Sequence, residues 1–200
     1  MSRRHAQRGV AAVEFALTLS LWMILLLGIL DGSYYLLINE RVDRIAYTVT
    51  DIVTQYQTIT KADLADIMEA SGHLMKPLTF NPSDLGAQDP LTGNYTEATG
   101  YIIVTSVYQD PSLGPIVKWQ YAYPPQGDGV TAPNSKIGTA VQDSSASLPE
   151  GLTLNNNDNL IVAEVFFSFS PLFVDNFLAQ VIYRAAYYKP RLSPLITPPT

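Results

Sequence analysis

The chain has 200 residues, of which 47% are hydrophobic, so a folded domain rather than a disordered chain is expected. Residues 10–200 hold nine basic and 18 acidic residues, and this acidic balance disfavours a nucleic-acid-binding surface, which needs clustered Lys and Arg. There is no cysteine, which excludes disulfides and thiolate metal sites.

The first predicted elements are a basic leader, residues 1–9, and a transmembrane helix, residues 10–30 (VAAVEFALTLSLWMILLLGIL). About 20 apolar residues are needed for a helix to cross a bilayer of roughly 30 Å. The leader contains three arginines, so the positive-inside rule places it in the cytoplasm and residues 31–200 outside, in the periplasm of a Gram-negative bacterium. A cleaved secretory signal is the alternative, but its apolar region is usually only 7–15 residues long.

Residues 31–57 are expected to extend the same helix beyond the membrane, to about Gln57. Apolar residues recur there in steps of three and four, which is typical of a helix with one packing face. This helix packing stripe consists of Ile38, Val42, Ile45, Val49, Ile52 and Tyr56. It can pack against a sheet of the same chain, against a helix of another subunit, or against both. The residues Asp31, Gly32 and Ser33 form a possible break.

A second, short helix is predicted to begin after Thr60. Thr60 is a candidate N-cap, and Asp63 three residues later completes a variant of the capping box. Gly72 and Pro77 are expected to end the helix, with an irregular segment following at 76–99. The predicted apolar face consists of Leu64, Ile67, Met68, Leu74 and Met75.

Four strands follow, each rich in β-branched and aromatic residues. They are predicted at Tyr101–Tyr108, Val117–Tyr123, Leu160–Phe169 and Val181–Tyr188. Helices followed by a run of strands predict an α+β fold with an antiparallel sheet, in a domain of residues 58–190. A long loop at 124–151 is expected to be a functional or mobile excursion, and the Pro-rich tail at 191–200 to be extended or loose.

The sequence contains no pattern that points to an enzyme. None of the common nucleophile, phosphate-binding, zinc-protease or dinucleotide motifs is present. His73 follows a helix, where the helix dipole or solvent explains it. Glu164 lies in an apolar strand and could face inward, but the solvent face of that strand or a pair with Arg184 across the sheet explains it more simply. We therefore expect no catalytic, cofactor-binding or metal-binding residues.

Glu14 is the one acidic residue within the hydrophobic stretch. A carboxylate so placed is costly in a bilayer and usually marks a functional residue. It is either an interfacial residue near the cytoplasmic headgroups or a partner for another charge. If the chain were cut after Gly9, the new ammonium of Val10 in one subunit and Glu14 in its neighbour would offset each other in low dielectric.

Gly9 followed by VAAVEF, with basic residues before it, resembles the prepilin signature G-x-x-x-x-E-[FY]. The longer string RRHAQRGVAAVEFALTLSLWMILLLGILDGSYY is similar to the TadE/TadG-like pilin-related proteins of the tight-adherence (Flp-type) pilus system. The resemblance implies a pilin-like fold and cleavage by a prepilin peptidase between Gly9 and Val10. It also implies that Glu14 and Phe15 are the assembly pair.

The resemblance further implies a minor pilin or pseudopilin of the bacterial inner membrane that takes part in pilus assembly or structure. Its partners would be other pilins and pseudopilins, the prepilin peptidase and the membrane, with no nucleic acid and no small-molecule substrate. The major Flp pilins are very small, so the chain is not expected to be the main filament subunit. The alternatives are a single-pass anchored binding module that stays outside the filament and a membrane-anchored enzyme.

Overall fold

The computed structural model describes residues 2–76, 100–124, 133–173 and 180–200, with side chains from residue 12 onward. Two helices are followed by four strands: α1 (Ser2–Val53), α2 (Lys61–Gly72), β1 (Gly100–Asp110), β2 (Gly114–Tyr123), β3 (Asn159–Phe169) and β4 (Gln180–Tyr188). The predicted α+β fold is confirmed. Most of the irregular segment predicted at 76–99, and residues 125–132 of the predicted long loop, lie outside the described residues.

The chain divides into two compact units. The first consists of the described parts of Met1–Leu37 and Ser170–Gln180, and the second of those of Ile38–Phe169 and Val181–Thr200. Helix α1 contributes to both units, because it is continuous from Ser2 to Val53.

Helix α1 is one continuous helix, as predicted, and it passes the possible break at Asp31 without interruption. It differs from its prediction at its ends, because it begins at Ser2 rather than near Val10 and ends at Val53 instead of about Gln57. Glycines inside a helix cost only about 1 kcal/mol each, which the surrounding helix-forming residues offset. After Val53 the amide of Tyr56 donates to the carbonyl of Val53 at 3.2 Å, a tighter three-residue spacing that closes the helix.

The predicted capping box at the start of α2 is confirmed. The Thr60 hydroxyl accepts a hydrogen bond from the amide of Asp63 at 3.1 Å, and the Asp63 carboxylate accepts one from the amide of Thr60 at 3.0 Å. The Thr60 hydroxyl also donates to the Asp63 carboxylate at 2.6 Å, and this bond, together with the bond from the amide of Thr60, lowers the pKa of Asp63, since both favour its charged form. The predicted apolar face is buried except at Leu74, which is exposed. The assignment of Leu74 to that face is therefore wrong.

The four strands form one antiparallel sheet in the order β2-β1-β3-β4. In the register of the three strands, Val104 of β1 lies opposite Tyr121 of β2 and Ala163 of β3. Strand β2 begins earlier than predicted, at Gly114, whose φ of +81° suits glycine. The turn before it is held by the Asp110 carboxylate, which accepts from the amide of Ser112 at 2.8 Å.

Strand β3 is covered on both faces of the sheet, because alternate residues point to opposite faces and nearly all of them are buried. One face packs against the chain after β2, with a core of Val107, Val117, Ile137, Ala146, Leu160 and Val162. The described part of the loop predicted at 124–151 is therefore a packed layer. Its residue Ser145 forms a β-bridge with Ile116.

The C-terminal tail is fixed by hydrogen bonds to the sheet, so of the two expected alternatives, extended or loose, the loose one is wrong. The carbonyl of the buried residue Leu195 accepts from the Ser106 hydroxyl at 2.6 Å and from the Trp119 indole at 2.7 Å. The amide of Leu195 donates to Asn159 Oδ1 at 2.8 Å. The main chain continues to the carbonyl of Thr200, which accepts from the amide of Lys61 at 3.1 Å.

Candidate functional site

The N-terminal half of α1 presents apolar side chains on all sides. From residue 12 to residue 30 every side chain except the half-buried Leu27 is exposed, and these include Leu21, Trp22 and Ile24. Within the described residues, α1 is the one helix long and apolar enough to cross a membrane. A helix that is apolar around its whole circumference is typical of a single-pass membrane anchor.

Glu14 and Phe15 lie on this exposed surface, and the backbone of Gly9 and Val10 lies within the same helix. The carbonyls of Glu14 and Phe15 both accept a hydrogen bond from the Thr18 hydroxyl, at 3.1 and 2.9 Å. Such back-bonding satisfies the hydroxyl within the helix, as a lipid environment requires. Among residues 12–30, Glu14 is the one residue with a formal charge.

The helix packing stripe lies in the second half of α1. Ile38, Val42, Ile45 and Val49 are fully buried within the chain itself, whereas Ile52 is half-buried. Tyr56 is also half-buried, but it lies beyond the end of the helix. The edge-to-face contact between Tyr47 and Tyr188, with ring centroids 6.4 Å apart, shows that this part of α1 lies beside β4.

The carboxylate of Glu164 is the centre of a hydrogen-bond cluster in the second compact unit, which contains the sheet and is called the sheet unit below. Its side chain is 0% exposed. It accepts from the Ser135 hydroxyl, from the amide of Lys136 at 2.8 Å and from the Tyr183 hydroxyl at 3.0 Å. The predicted solvent-facing position is therefore wrong, because the layer after β2 returns over this part of β3 and supplies donors that satisfy the buried carboxylate.

The predicted pair between Glu164 and Arg184 is also wrong. Arg184 Nε lies 3.0 Å from Asp43 Oδ1, so it binds α1 instead. Lys136 brings a positive charge to the cluster, because its Nζ lies 3.7 Å from the ring centroid of Tyr183. Burial, followed by the negative charge of Glu164, raises the pKa of the Tyr183 hydroxyl. The same causes raise the pKa of Tyr187.

The hydrogen bonds of this cluster indicate a structural role. Each oxygen of the carboxylate accepts at least one hydrogen bond, and these bonds attach the layer after β2 to the centre of the sheet. His73, the other residue considered as a base, is exposed at the end of α2. Within the part of the chain that the structure describes, no three His, Cys, Asp or Glu residues are grouped as metal ligands.

A second buried carboxylate, Asp31, lies in the other unit. Its side chain is 0% exposed. Its Oδ1 atom accepts hydrogen bonds from the amides of Leu172 at 2.9 Å and Phe173 at 3.3 Å. The sequence indicated only a possible helix break at this position. The signal for a buried role was its place directly after the apolar stretch, where an unsatisfied charge would be costly.

Residues 9–51 match the model of the TadE-like protein family. The chain carries a TadE-like domain. This domain associates the chain with the tight-adherence pilus system. No curated protein and no solved structure matches the chain.

The TadE-like domain covers both halves of α1. It includes Gly9, Glu14, Phe15 and Asp31 and most of the helix packing stripe. The sheet, from Gly100 to Tyr188, lies outside the matched residues. The family likeness therefore concerns the anchor helix and its extension, and it does not include the sheet.

Proposed function

We propose that the chain is a minor pilin or pseudopilin that takes part in the assembly or structure of a tight-adherence pilus. The observation that carries this proposal is the TadE-like domain at residues 9–51, which coincides with an exposed apolar helix containing Glu14. An assembly subunit of this kind needs a helix that is stable in the bilayer before assembly and can pack against other helices afterwards. Its partners are other pilins and pseudopilins of the system.

The proposed location is the inner membrane, with one span, a cytoplasmic N-terminus and a periplasmic sheet unit. Arg3, Arg4 and Arg8 support this orientation through the positive-inside rule. A prepilin peptidase would act on the cytoplasmic side, between Gly9 and Val10. We expect no enzymatic activity of the chain itself.

In the proposed assembly step, Glu14 pairs with the α-ammonium of Val10 in a neighbouring subunit. In a packed bundle each charge offsets the desolvation of the other, so one axial offset between neighbouring helices is favoured. Phe15 follows directly and is exposed, which makes it available for packing against the same neighbour.

Processing is tested by intact-mass measurement of the chain from its native host. We expect the mass of the chain without residues 1–9, and we expect Gly9→Ala to abolish that loss. Gly28→Ala is the matched control, since a methyl group added there meets no atom within 4 Å. Unchanged processing of the Gly9 variant would overturn the peptidase-site proposal.

Assembly is tested with Glu14→Ala in the same host. The variant is expected to insert in the membrane at the normal level but to be lost from sheared pili, because the neighbour's ammonium has no counter-charge. Leu17→Ala, an exposed position on the same helix, serves as the control and should assemble normally. Normal incorporation of the Glu14 variant would reduce Glu14 to an interfacial residue.

The second candidate is an anchored interaction module that is not incorporated into a filament. It is favoured by one observation, the absence of the sheet from the residues that match the family. Fractionation separates the two candidates. A minor pilin is recovered partly with sheared pili, whereas an anchored module remains entirely with the membrane.

A further inference from the structure

The environment of Asp31 is unusual for a residue at the end of an apolar stretch. Its carboxylate is covered by protein, whereas the adjacent apolar side chains of Ile29 and Leu30 are exposed. The cover comes from the Ser170–Phe173 segment, whose last two amides both donate to Asp31 Oδ1. In this region the carboxylate of Asp31 is therefore buried, whereas the apolar side chains of Ile29 and Leu30 are exposed.

The Ser170–Phe173 segment has the same character. Leu172 is 60% exposed and Phe173 is 54% exposed, although both amides are bound to Asp31. Two adjacent large apolar side chains on a non-helical segment are unfavourable in water. They are typical of a segment that enters the boundary between lipid headgroups and acyl chains.

Helix α1 indicates where that boundary lies. Beyond Asp31, the next charged residue is Glu40, and both Leu36 and Leu37 are exposed. Tyr34 and Tyr35 are half-buried, and tyrosines are common at membrane–water interfaces. A helix covers roughly 30 Å between Val10 and Leu30, the thickness of a hydrocarbon core. Asp31 then lies at the outer boundary of that core.

We infer that Asp31 holds the Ser170–Phe173 segment at the outer face of the bilayer, with Leu172 and Phe173 inserted in the interfacial lipid. The occupant of this apolar surface is phospholipid, because Leu172 and Phe173 are hydrogen-bonded to Asp31, the residue that directly follows the exposed apolar residues of the anchor helix. The segment and the anchor together set how deep α1 sits. This inference rests on single-pass anchorage and does not depend on a role in a pilus.

The hydrogen bonds explain why an aspartate suits this position. Near the acyl chains, the two amides need an acceptor because little water is available. A carboxylate in the same layer needs donors for the same reason. One side chain with one oxygen facing both amides satisfies the two requirements together.

The chain has no cysteine, so a single introduced cysteine carries a unique label. We would label Phe173→Cys in the full chain with an environment-sensitive fluorophore and place one chain in each phosphatidylcholine nanodisc. The lipid would carry a nitroxide quencher near the headgroup. The control is Leu113→Cys in the turn between β1 and β2, where the side chain is 69% exposed. We expect several-fold stronger quenching at position 173 than at position 113, and equal quenching would overturn the inference.

The role of Asp31 is tested in the same labelled chain with two substitutions. Asp31→Asn retains a side-chain oxygen that accepts from the amides, so most of the quenching should remain. Asp31→Leu has no acceptor, so quenching at position 173 should fall toward that of the Leu113 control. Full quenching in the Leu variant would overturn the role of Asp31. The fluorescence of the buried residue Trp119 reports whether the sheet unit is still folded.

A second copy of the chain is the other conceivable occupant of this surface. Nanodiscs that hold a single chain exclude it, and nanodiscs that hold two chains provide the comparison. Equal label environments in the two preparations support the lipid assignment. A label that reports a water-excluded environment only in the two-chain discs would identify a protein contact and overturn the inference.

Discussion

The two halves of α1 have the same backbone geometry and opposite surroundings. Residues 12–30 are exposed on nearly every side, whereas the second half buries one stripe and leaves the polar side chains of Glu40 and Arg44 exposed. The difference lies in the distribution of apolar residues around the helix, which is complete in the first half and one-sided in the second. This distribution, rather than helix propensity, therefore determines whether each half is surrounded by lipid or by protein and water.

Polar groups follow the same division. In the first half, Ser20 donates to the carbonyl of Ala16 at 2.7 Å, and the bond stays within the helix. In the second half, Arg41 reaches out of the helix to the carbonyl of Lys76 at 2.7 Å, and Asp43 pairs with Arg184. The second half is therefore tied to other elements by its polar face as well as by its buried stripe.

The largest expected difference between the halves is in the free energy of unfolding lost when one apolar side chain in each is truncated to alanine. Ile45→Ala creates a cavity in a fully buried position and should lower the free energy of unfolding by about 2 to 5 kcal/mol. Leu25→Ala removes an exposed side chain and should leave the unfolding free energy unchanged. Denaturant titration of the chain in detergent, followed by Trp119 fluorescence with the other tryptophan, Trp22, replaced by Phe, measures both. Equal effects would contradict the division of α1.

The next largest effect is expected at Glu164, which belongs to the unit of the buried half. Glu164→Leu leaves its buried donors without an acceptor and should destabilise the sheet unit by about 3 kcal/mol. Glu164→Gln retains one acceptor oxygen and should cost less. Membrane insertion of both variants should be normal, as measured by carbonate extraction. Glu150→Gln, at an exposed position, is the control.

A smaller effect is expected at the capping box of α2. Thr60→Ala removes the acceptor for the amide of Asp63 and should lower the free energy of unfolding by about 1 kcal/mol. Thr58→Ala, at a neighbouring exposed position, should have no effect. The same denaturant titration measures both variants, and a neutral Thr60 variant would show that α2 is held by its packing alone.

The smallest effect is the pH dependence expected from the Tyr183 hydroxyl, which appears only in alkali. The pKa of Tyr183 is raised in the folded chain, so above pH of about 10 the unfolded state loses a proton that the folded state keeps. Stability should therefore be complete below that pH and fall as the pH rises further. Tyr183→Phe should show a shallower decline between pH 9 and about 11 in thermal unfolding. Identical slopes would mean that Tyr183 does not contribute.

The local structure could be predicted from the sequence to a large extent. The four strands, the long helix and the capping box at Thr60 were each predicted from their own residues, because period and capping depend on neighbours in the chain. The one-sided stripe after Leu37 and the all-round apolar surface before Leu30 were also visible as patterns. These features are set by interactions over a few residues.

The buried polar contacts could not be predicted in the same way. Glu164 receives hydrogen bonds from Ser135 and Lys136, and Leu195 binds β1 and β2, but these partners are far apart in the chain. Only the folded topology brings them together, and an acidic residue in a strand has the same local pattern whether it is buried or exposed. Asp31 was treated as a possible helix break for the same reason.

The Asp31 contact also has a consequence in time. The amide of Leu172 lies 141 residues after Asp31, and ribosomes add about 5 to 20 residues per second. The carboxylate therefore exists for about 7 to 28 seconds before its partner segment is synthesised. During this interval α1 can adjust its depth in the membrane. The final depth of α1 is then fixed only in chains whose synthesis has passed Phe173. A product truncated before that residue has an anchor helix without the hydrogen bonds to Asp31.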